Sequence, residues 1–366
     1  MKIAFLIHLD GPGGGPVALS HQVNYFKDRC EVVVLHGGRG RVAAECDAAG
    51  VPHVRIPTER LWKCLWAWIP LWRTLCAERP DGLIVNGQWG GMIAPWVGRL
   101  AKVPRIVYVA QWPAFYTDWD PVRVVRNRLC ESLACGWSHY VVALCESVRY
   151  QYLYRRLVDD HRLVCIPNAL NVDETDRESA AAFRGAHGWE EGESCCHVVS
   201  AGRLADQKRV DWLLRSWTIV QERVSGACLW IVGDGPEKEN LERLSSTLGL
   251  KSCRFVGRAP TAVPWLAAAD VAVVTSLYEG YGYAPLEAMA SGTPVVASRV
   301  DGVRDSVRDG TDGFLVNPGD IEGFAEKIVR LARDKPLRER MGRAGRERAV
   351  QFAPERVLPA LFRLMQ

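Results

Sequence analysis

The stretch Glu279-Gly-Tyr-Gly-Tyr-Ala-Pro-Leu-Glu287-Ala-Met-Ala-Ser-Gly292 constrains this chain more than any other. It follows Ala269–Ser276, an apolar run that reads as a buried strand. Pro285 suits the first position of a helix and Gly292 its end. The order is strand, glycine loop, helix start. Gly280 and Gly282 let a ligand approach the backbone, because no Cβ stands in the way. The amides that open a helix, with the positive end of its dipole, favour a phosphate. Glu279 in the loop and Glu287 in the expected first helical turn would be repelled by a phosphate. They are better placed to accept hydrogen bonds from the vicinal hydroxyls of a ribose or a sugar. The other reading of Glu287 is that it caps its own helix.

The same pattern opens the chain. Ile3–Leu9 reads as a strand, Asp10-Gly-Pro-Gly-Gly-Gly-Pro16 as a glycine loop, and Val17 to about Phe26 as a helix. The loop suits a phosphate or a reacting group; otherwise it is a tight turn. Pro16 stands where the third glycine of a dinucleotide fingerprint would fall, and no Walker sequence occurs. Further strands are read at Glu31–Leu35, Gly82–Asn86 and Arg105–Ala110, then at Val198–Gly202, Ala227–Val232, Cys253–Val256 and Thr293–Ser298. Strands alternating with helices predict an α/β chain with parallel sheets covered by helices. Function then belongs at the carboxyl ends of the strands, where Asn86-Gly-Gln-Trp89 and Gln111-Trp112 lie.

The 366 residues suffice for two domains of ordinary size, and a formal net charge of +4 is too small to imply nucleic acid as a partner. Twelve cysteines show no zinc-like spacing and read as free thiols of a reducing compartment. The first residues are too short and too lightly charged for a signal peptide, and no apolar run reaches the length of a membrane span. A cytoplasmic protein is the expectation.

Two further segments stand out. Leu61–Trp72 is rich in tryptophan, with apolar residues at helical spacing and with Arg60, Lys63 and Arg73 at its flanks. Pro70 should bend or end that helix. The segment reads as a helix packed on the sheet; docking on a membrane or a lipid-linked acceptor is the other reading. The basic stretch Arg123–Arg128, followed by Arg149, Arg155 and Arg156, reads as a solvated face or as a contact with anionic lipid. Asp118-Trp-Asp120 has the form Asp-x-Asp, but no strand precedes it, and no metal site is expected there.

Glu279-x7-Glu287, the glycines between and the Glu287-Ala-Met-Ala continuation resemble the signature of retaining glycosyltransferases of family 4. Gly202-Arg203-Leu with the later Lys208, and Val164-Cys-Ile-Pro-Asn168 with Ala169 in place of a glycine, resemble further family segments. The resemblance covers most of the chain. It implies the GT-B arrangement: two Rossmann-like doubly wound domains facing across a cleft. The domains would be residues 1–170 on the acceptor side, a linker at 171–194, a nucleotide-sugar domain at 195–350, and a helix at 351–366 returning to the first domain.

The resemblance further implies transfer of a hexose from a nucleotide-diphosphate sugar, UDP- or GDP-linked, to an acceptor hydroxyl. The anomeric configuration would be kept, with no metal, cofactor or protein nucleophile. Arg203 and Lys208 would stabilise the leaving diphosphate, since fixed cations act most where negative charge develops. Glu279 would hold the donor sugar and Glu287 the ribose, with the backbone of Tyr281, Gly282, Tyr283 and Ala284 at the phosphates. Gly202, Val256, Gly257 and Arg258 would border the nucleotide, and Gly13, Gly14 and Gly15 would face the donor phosphate from the first domain. Gln111 stands where the family often has histidine; it can share hydrogen bonds with a donor hydroxyl but cannot carry a proton charge. The partners implied are the donor and an acceptor glycan, glycolipid or small molecule, with peripheral contact on the inner membrane face. The other readings are a nucleotide-sugar epimerase or phosphorylase of similar architecture, and a non-catalytic nucleotide-sugar-binding protein.

Overall fold

The structure is a computed structural model. It describes all residues except 9–12, 39, 57–60, 112–119, 173–176 and 190–194, and the side chains of 61–65, 89, 177 and 178. The chain divides into two compact units, Met1–Ala169 with Pro354–Gln366, and Leu170–Ala353.

In the first unit strands and helices alternate. They are β1 (Lys2–Ile7), α1 (Gly14–Lys27), β2 (Glu31–His36), α2 (Arg41–Ala49), β3 (His53–Arg55), α3 (Leu61–Glu78) and β4 (Gly82–Asn86). Then follow α4 (Gln88–Leu100), β5 (Arg105–Ala110), α5 (Pro121–Trp137), β6 (Tyr140–Ala143), α6 (Glu146–Tyr154) and β7 (Leu163–Cys165). The seven strands form one parallel sheet in the order β3-β2-β1-β4-β5-β6-β7. Its central strands are buried on both faces, which is why they read as unbroken apolar runs such as Lys2-Ile-Ala-Phe-Leu-Ile7. The strand order reverses between β1 and β4, so the carboxyl ends of those two strands open a crevice.

The second unit repeats the plan. It has α7 (Arg177–Ala186), β8 (Cys196–Ala201), α8 (Val210–Arg223), β9 (Ala227–Val232), α9 (Lys238–Thr247), β10 (Cys253–Gly257) and α10 (Val263–Ala268). It continues with β11 (Val271–Val274), α11 (Tyr283–Ala290), β12 (Val295–Ser298), α12 (Val303–Ser306), β13 (Gly313–Val316), α13 (Ile321–Arg333) and α14 (Lys335–Ala349). Its six strands are parallel in the order β10-β9-β8-β11-β12-β13, reversing between β8 and β11. The core lies between this sheet and α8 and α13, around the fully buried Trp217, Phe324 and Ile328. The last helix, α15 (Pro354–Arg363), packs on α1 in the first unit, where Phe362 meets the ring of Phe26 at 5.1 Å.

Several expectations need adjustment. Pro70 does not end the tryptophan-rich helix: α3 continues to Glu78, because Leu71 and Leu75 carry its buried face past the proline. Three short strands, β3, β6 and β7, were not expected, and the polar stretch after Asn171 contains α7. Of the Asp-x-Asp pair, Asp118 lies outside the described residues. Asp120 caps α5 by accepting from Val122 N at 2.9 Å, a structural use. Among the described residues no cluster of three potential metal-binding side chains occurs, and no helix is long and apolar enough to cross a membrane.

One buried acid links α5 to the sheet. Glu131 is fully buried, and one of its oxygens accepts from the hydroxyls of Tyr108 (2.9 Å) and Tyr152 (2.7 Å). The other oxygen has no partner. Burial pushes this carboxyl up from 4.5 to about 7, although the two hydroxyls oppose the shift. The folded protein therefore holds the proton more tightly than the unfolded chain. The associated stability is complete below about pH 4.5 and is lost as pH rises to about 7. Glu131→Gln removes this titration. Urea unfolding at about pH 5 and about pH 8 should show the variant escaping a loss of roughly 2–3 kcal/mol that the parent suffers.

Candidate active site

The carboxyl ends of β8 and β11, which flank the reversal of strand order, carry the site of the second unit. After β8 the chain runs through Gly202, Arg203 and a single 3-10 turn, Asp206–Lys208. After β11 it runs through Thr275–Gly282 into α11. Backbone and side chains stitch the two loops together. Leu277 N donates to Gln207 O (2.8 Å), Gln207 Nε2 to Tyr278 O (3.2 Å) and Thr275 Oγ1 to Lys208 O (3.0 Å).

The result is a direct ion pair between Lys208 Nζ and Glu279 Oε1. Ser276 Oγ donates to the same carboxylate oxygen at 2.7 Å, and Ser276 and Glu279 are both buried. Gly202 lies beside the lysine stem: a Cβ there would sit 3.8 Å from Lys208 Cε. Gly282 closes the ring. Its φ of +75° turns the loop into α11, and a Cβ on it would come within 3.8 Å of Glu279 Cγ. The amides that open α11 at Tyr283 and Ala284 follow the loop that carries Glu279, whose buried carboxylate holds the part-buried ammonium of Lys208. Tyr281 is buried against the ring of Phe352, 5.7 Å between centroids, which anchors the loop just before the helix.

The helix begins at Tyr283, two residues before the proline expected to start it, so Pro285 is its third residue. Glu287 accordingly stands in the second turn, half-buried. Ala284 lies in the first turn. Arg203 is exposed on the β8 loop and makes no ion pair among the described residues. Val256 and Gly257 end β10, with Arg258 exposed beyond them. Backbone bonds tie that end to the site: Gly233 N donates to Gly257 O (2.8 Å), and Gly202 N to Val232 O (2.9 Å). Lys208 and Glu279 are thus in contact, whereas no hydrogen bond or ion pair joins Arg203 or Arg258 to them.

In the first unit, Gly13 precedes α1, and Gly14 and Gly15 are its first two residues, with no side chain capping them. Gln111, just past β5, donates from Nε2 to Asn86 Oδ1 at 3.1 Å, and Asn86 Nδ2 donates to Gln22 Oε1 at 3.1 Å. Asn86 and Gln22 are buried at the carboxyl end of β4 and on α1. His8, directly after β1, is also buried, and burial lowers its imidazole to about 4, so the ring is neutral at ordinary pH. Sequence reasoning missed His8 and Gln22 here, and Thr275, Ser276 and Gln207 in the second unit. A polar residue inside an otherwise apolar strand end, such as His8, was the available signal.

A buried carboxylate fixed by one hydroxyl and one ammonium, beside the start of α11, can bind a polyol phosphate. The cation and amides suit the phosphate, and the carboxylate suits the hydroxyls. Ser276 acts on this through Glu279. Ser276→Ala should lower turnover about tenfold, the cost of one buried hydrogen bond, with Ser276→Thr restoring most of it. A change in KM alone, or no rescue by threonine, would deny Ser276 this positioning role.

Residues 196–334 match the profile of Glycosyl transferases group 1, and residues 13–169 that of a glycosyl transferase 4-like domain. Two lipopolysaccharide core biosynthesis glycosyltransferases of Rhizobium meliloti (strain 1021), LpsE and LpsD, are each 39% identical, over 170 and 151 residues. The alignments cover 46% and 41% of this chain and 49% and 43% of those proteins. The chain thus spans about half the length of the curated relatives it matches, or less. In three dimensions it is similar to Anabaena Alr3699/HepE, solved in complex with UDP and glucose. The TM-score is 0.86 at 21% identity, over 99% of this chain and 98% of that one, a likeness of fold. With both units matched in sequence and the whole chain matched in fold, this chain belongs to the group 1 glycosyl transferases and has the GT-B fold.

Proposed function

We propose that the chain transfers a hexose from a nucleoside-diphosphate sugar to an acceptor hydroxyl, with retention at the anomeric carbon. The observation that carries this reading is the contact of Lys208 with Glu279, brought from two strand ends to the start of α11. Lys208, together with the exposed Arg203 of the same loop, neutralises the charge that grows on the diphosphate as the sugar bond breaks. Two cations on one loop, Lys208 held by Glu279 and the exposed Arg203, do the work a divalent metal does elsewhere, which supports a metal-independent reaction. The amides of Tyr281, Gly282, Tyr283 and Ala284 hold the phosphates. Glu279 takes the hydroxyls of the donor sugar, and Glu287 takes those of the ribose.

Gly202, Val256, Gly257 and Arg258 border the nucleotide. In the first unit, Gly13, Gly14, Gly15 and Gln111 are the candidate donor-binding residues. Attack comes from the face that the leaving group vacates, with no protein nucleophile. The HepE complexes with UDP, and with UDP-glucose, favour uridine as the first nucleotide to try. Relatives named for lipopolysaccharide core biosynthesis favour a saccharide acceptor, lipid-linked among others.

A thermal-shift screen of UDP-, GDP-, ADP- and dTDP-sugars tests the donor. Mass spectrometry with candidate acceptors and NMR of the product anomer follow. A sugar nucleotide that stabilises the chain without any transfer, across saccharide acceptors, would favour a binding protein. An inverted product would overturn retention.

A further inference from the structure

Four non-glycine residues have a positive φ among the described residues: Arg79 (45°), Lys102 (59°), Arg156 (52°) and Arg209 (46°). The first three stand just past the ends of α3, α4 and α6, where a left-handed residue commonly closes a helix. Arg209 alone stands before one. It is the residue ahead of α8, with φ +46° and ψ +43°, at a position where extended backbone and a short polar side chain are usual. A left-handed backbone is unfavourable for any residue that carries a Cβ, so something around Arg209 holds it there.

Both of its neighbours are fixed. On one side Lys208 sits on Glu279 and accepts at its carbonyl from Thr275. On the other, α8 is rooted in the core through Val210, Leu213, Leu214 and Trp217. Arg209 is the joint between them, and its side chain spans that joint. One guanidinium nitrogen donates to Asp206 Oδ1 at 3.3 Å, in the turn that carries Lys208. Another donates to Asp211 Oδ2 at 2.8 Å, in the first turn of α8. The guanidinium carbon also lies 4.8 Å from the centre of the Trp212 ring. Asp206 is 81% exposed, so that pair holds little by itself; Asp211, at 28%, and the ring face carry most of the grip. Nε of Arg209 is buried and has no hydrogen-bond partner. A strained backbone and an unsatisfied donor on one residue, next to the ammonium of the site, mark a conformation kept for its geometry.

We propose that Arg209 is a positioning residue. Its guanidinium clamps the turn Asp206–Lys208 to the first turn of α8, at the left-handed angle that delivers the Lys208 ammonium to Glu279. It acts through Lys208, and the inference rests on the role given to that lysine above. Glycine at position 209 would accept the same backbone without strain but would have no side chain to fasten it. Arg209→Gly therefore separates the aiming of Lys208 from the stability of the fold.

The test compares the full chain with Arg209→Gly, and with Arg79→Gly as a control at a helix end. Arg209→Gly should unfold at or near the parent's urea midpoint, because relief of the left-handed strain offsets the lost ion pairs. It should lower kcat about tenfold and leave KM for the sugar nucleotide within about twofold, since a displaced ammonium matters most as charge develops. Asp211→Asn should lower kcat about threefold in the parent and add nothing to Arg209→Gly. Arg79→Gly should leave kcat unchanged. Hydrogen exchange of the ligand-free proteins, read by mass spectrometry, tests the clamp without any turnover. The amides of Lys208 and Leu277 donate to Ala205 O and Gln207 O, each at 2.8 Å. Their exchange should rise about tenfold in Arg209→Gly. Parent-like kcat, or parent-like exchange, in Arg209→Gly overturns the proposal. So does a loss of kcat that comes only with a lower urea midpoint, because Arg209 then serves stability alone. Faster exchange in the variant of a parent that transfers no sugar upholds the clamp and overturns the transferase reading instead.

Discussion

Replacing Lys208 by alanine should lower turnover by about a hundredfold or more, the scale on which loss of one group facing a developing charge is felt. The lysine is held in place twice. Its carbonyl accepts from Thr275 Oγ1 at 3.0 Å, and its ammonium sits on Glu279. It follows that the ammonium is present before any ligand arrives and costs little to organise. Part of the loss in Lys208→Ala would come from Glu279, left buried with only the hydroxyl of Ser276. Glu279→Gln separates the two effects: the amide oxygen still accepts from Ser276, but no negative charge is left unpaired. On the present reading Glu279→Gln also lowers turnover, by about tenfold or more, because the sugar loses a charged acceptor. The double variant should fall little below Lys208→Ala, since groups that act as a unit are not additive. Initial rates of product formation by mass spectrometry measure all three. Near-normal turnover in Lys208→Ala would refute the role.

Gly233→Ala should unfold the loop that carries the lysine, at a cost of roughly 2–4 kcal/mol and with most of the activity lost. The backbone of Gly233 has φ +143°, and a Cβ there would lie 1.8 Å from the carbonyl oxygen of Gly202. The obstacle is main chain, which cannot step aside as a flexible side chain can. Gly202 would be pushed off its bond to Val232 O, and the path from β8 to Lys208 would shift with it. Urea unfolding and turnover, measured together, should both fall. A variant that keeps the parent's midpoint would show that the loops are not packed this tightly.

Much of the fold could be read from residue order, for a physical reason. Strands buried on both faces are continuous apolar runs, so Gly82–Asn86, Arg105–Ala110 and Ala227–Val232 stand out to the residue. The strands that escaped are short and less uniform: His53-Val-Arg55 has no room for a period, and Leu163-Val-Cys165 little more. The loops of the site were legible because glycines and charges gather where backbone approaches a ligand. Their stitching was not. Lys208 and Glu279 are 71 residues apart, and the partners that fix them, Ser276, Thr275 and Gln207, are ordinary polar residues until β8 and β11 lie side by side. The start of α11 was misread because a proline is accepted anywhere in a first turn, while Gly282 with its positive φ sets where the turn begins.

The central claim is that the Lys208–Glu279 pair at the start of α11 holds the diphosphate and sugar of a nucleotide donor. Calorimetric titration tests it most directly, with the sugar nucleotide that most raises the unfolding temperature, against the parent, Lys208→Ala and Glu279→Gln. The account predicts binding by the parent, a loss of at least about tenfold in affinity in Lys208→Ala, and a loss in Glu279→Gln that disappears when the free nucleoside diphosphate replaces the sugar nucleotide. Equal affinity of all three proteins for the sugar nucleotide would contradict it.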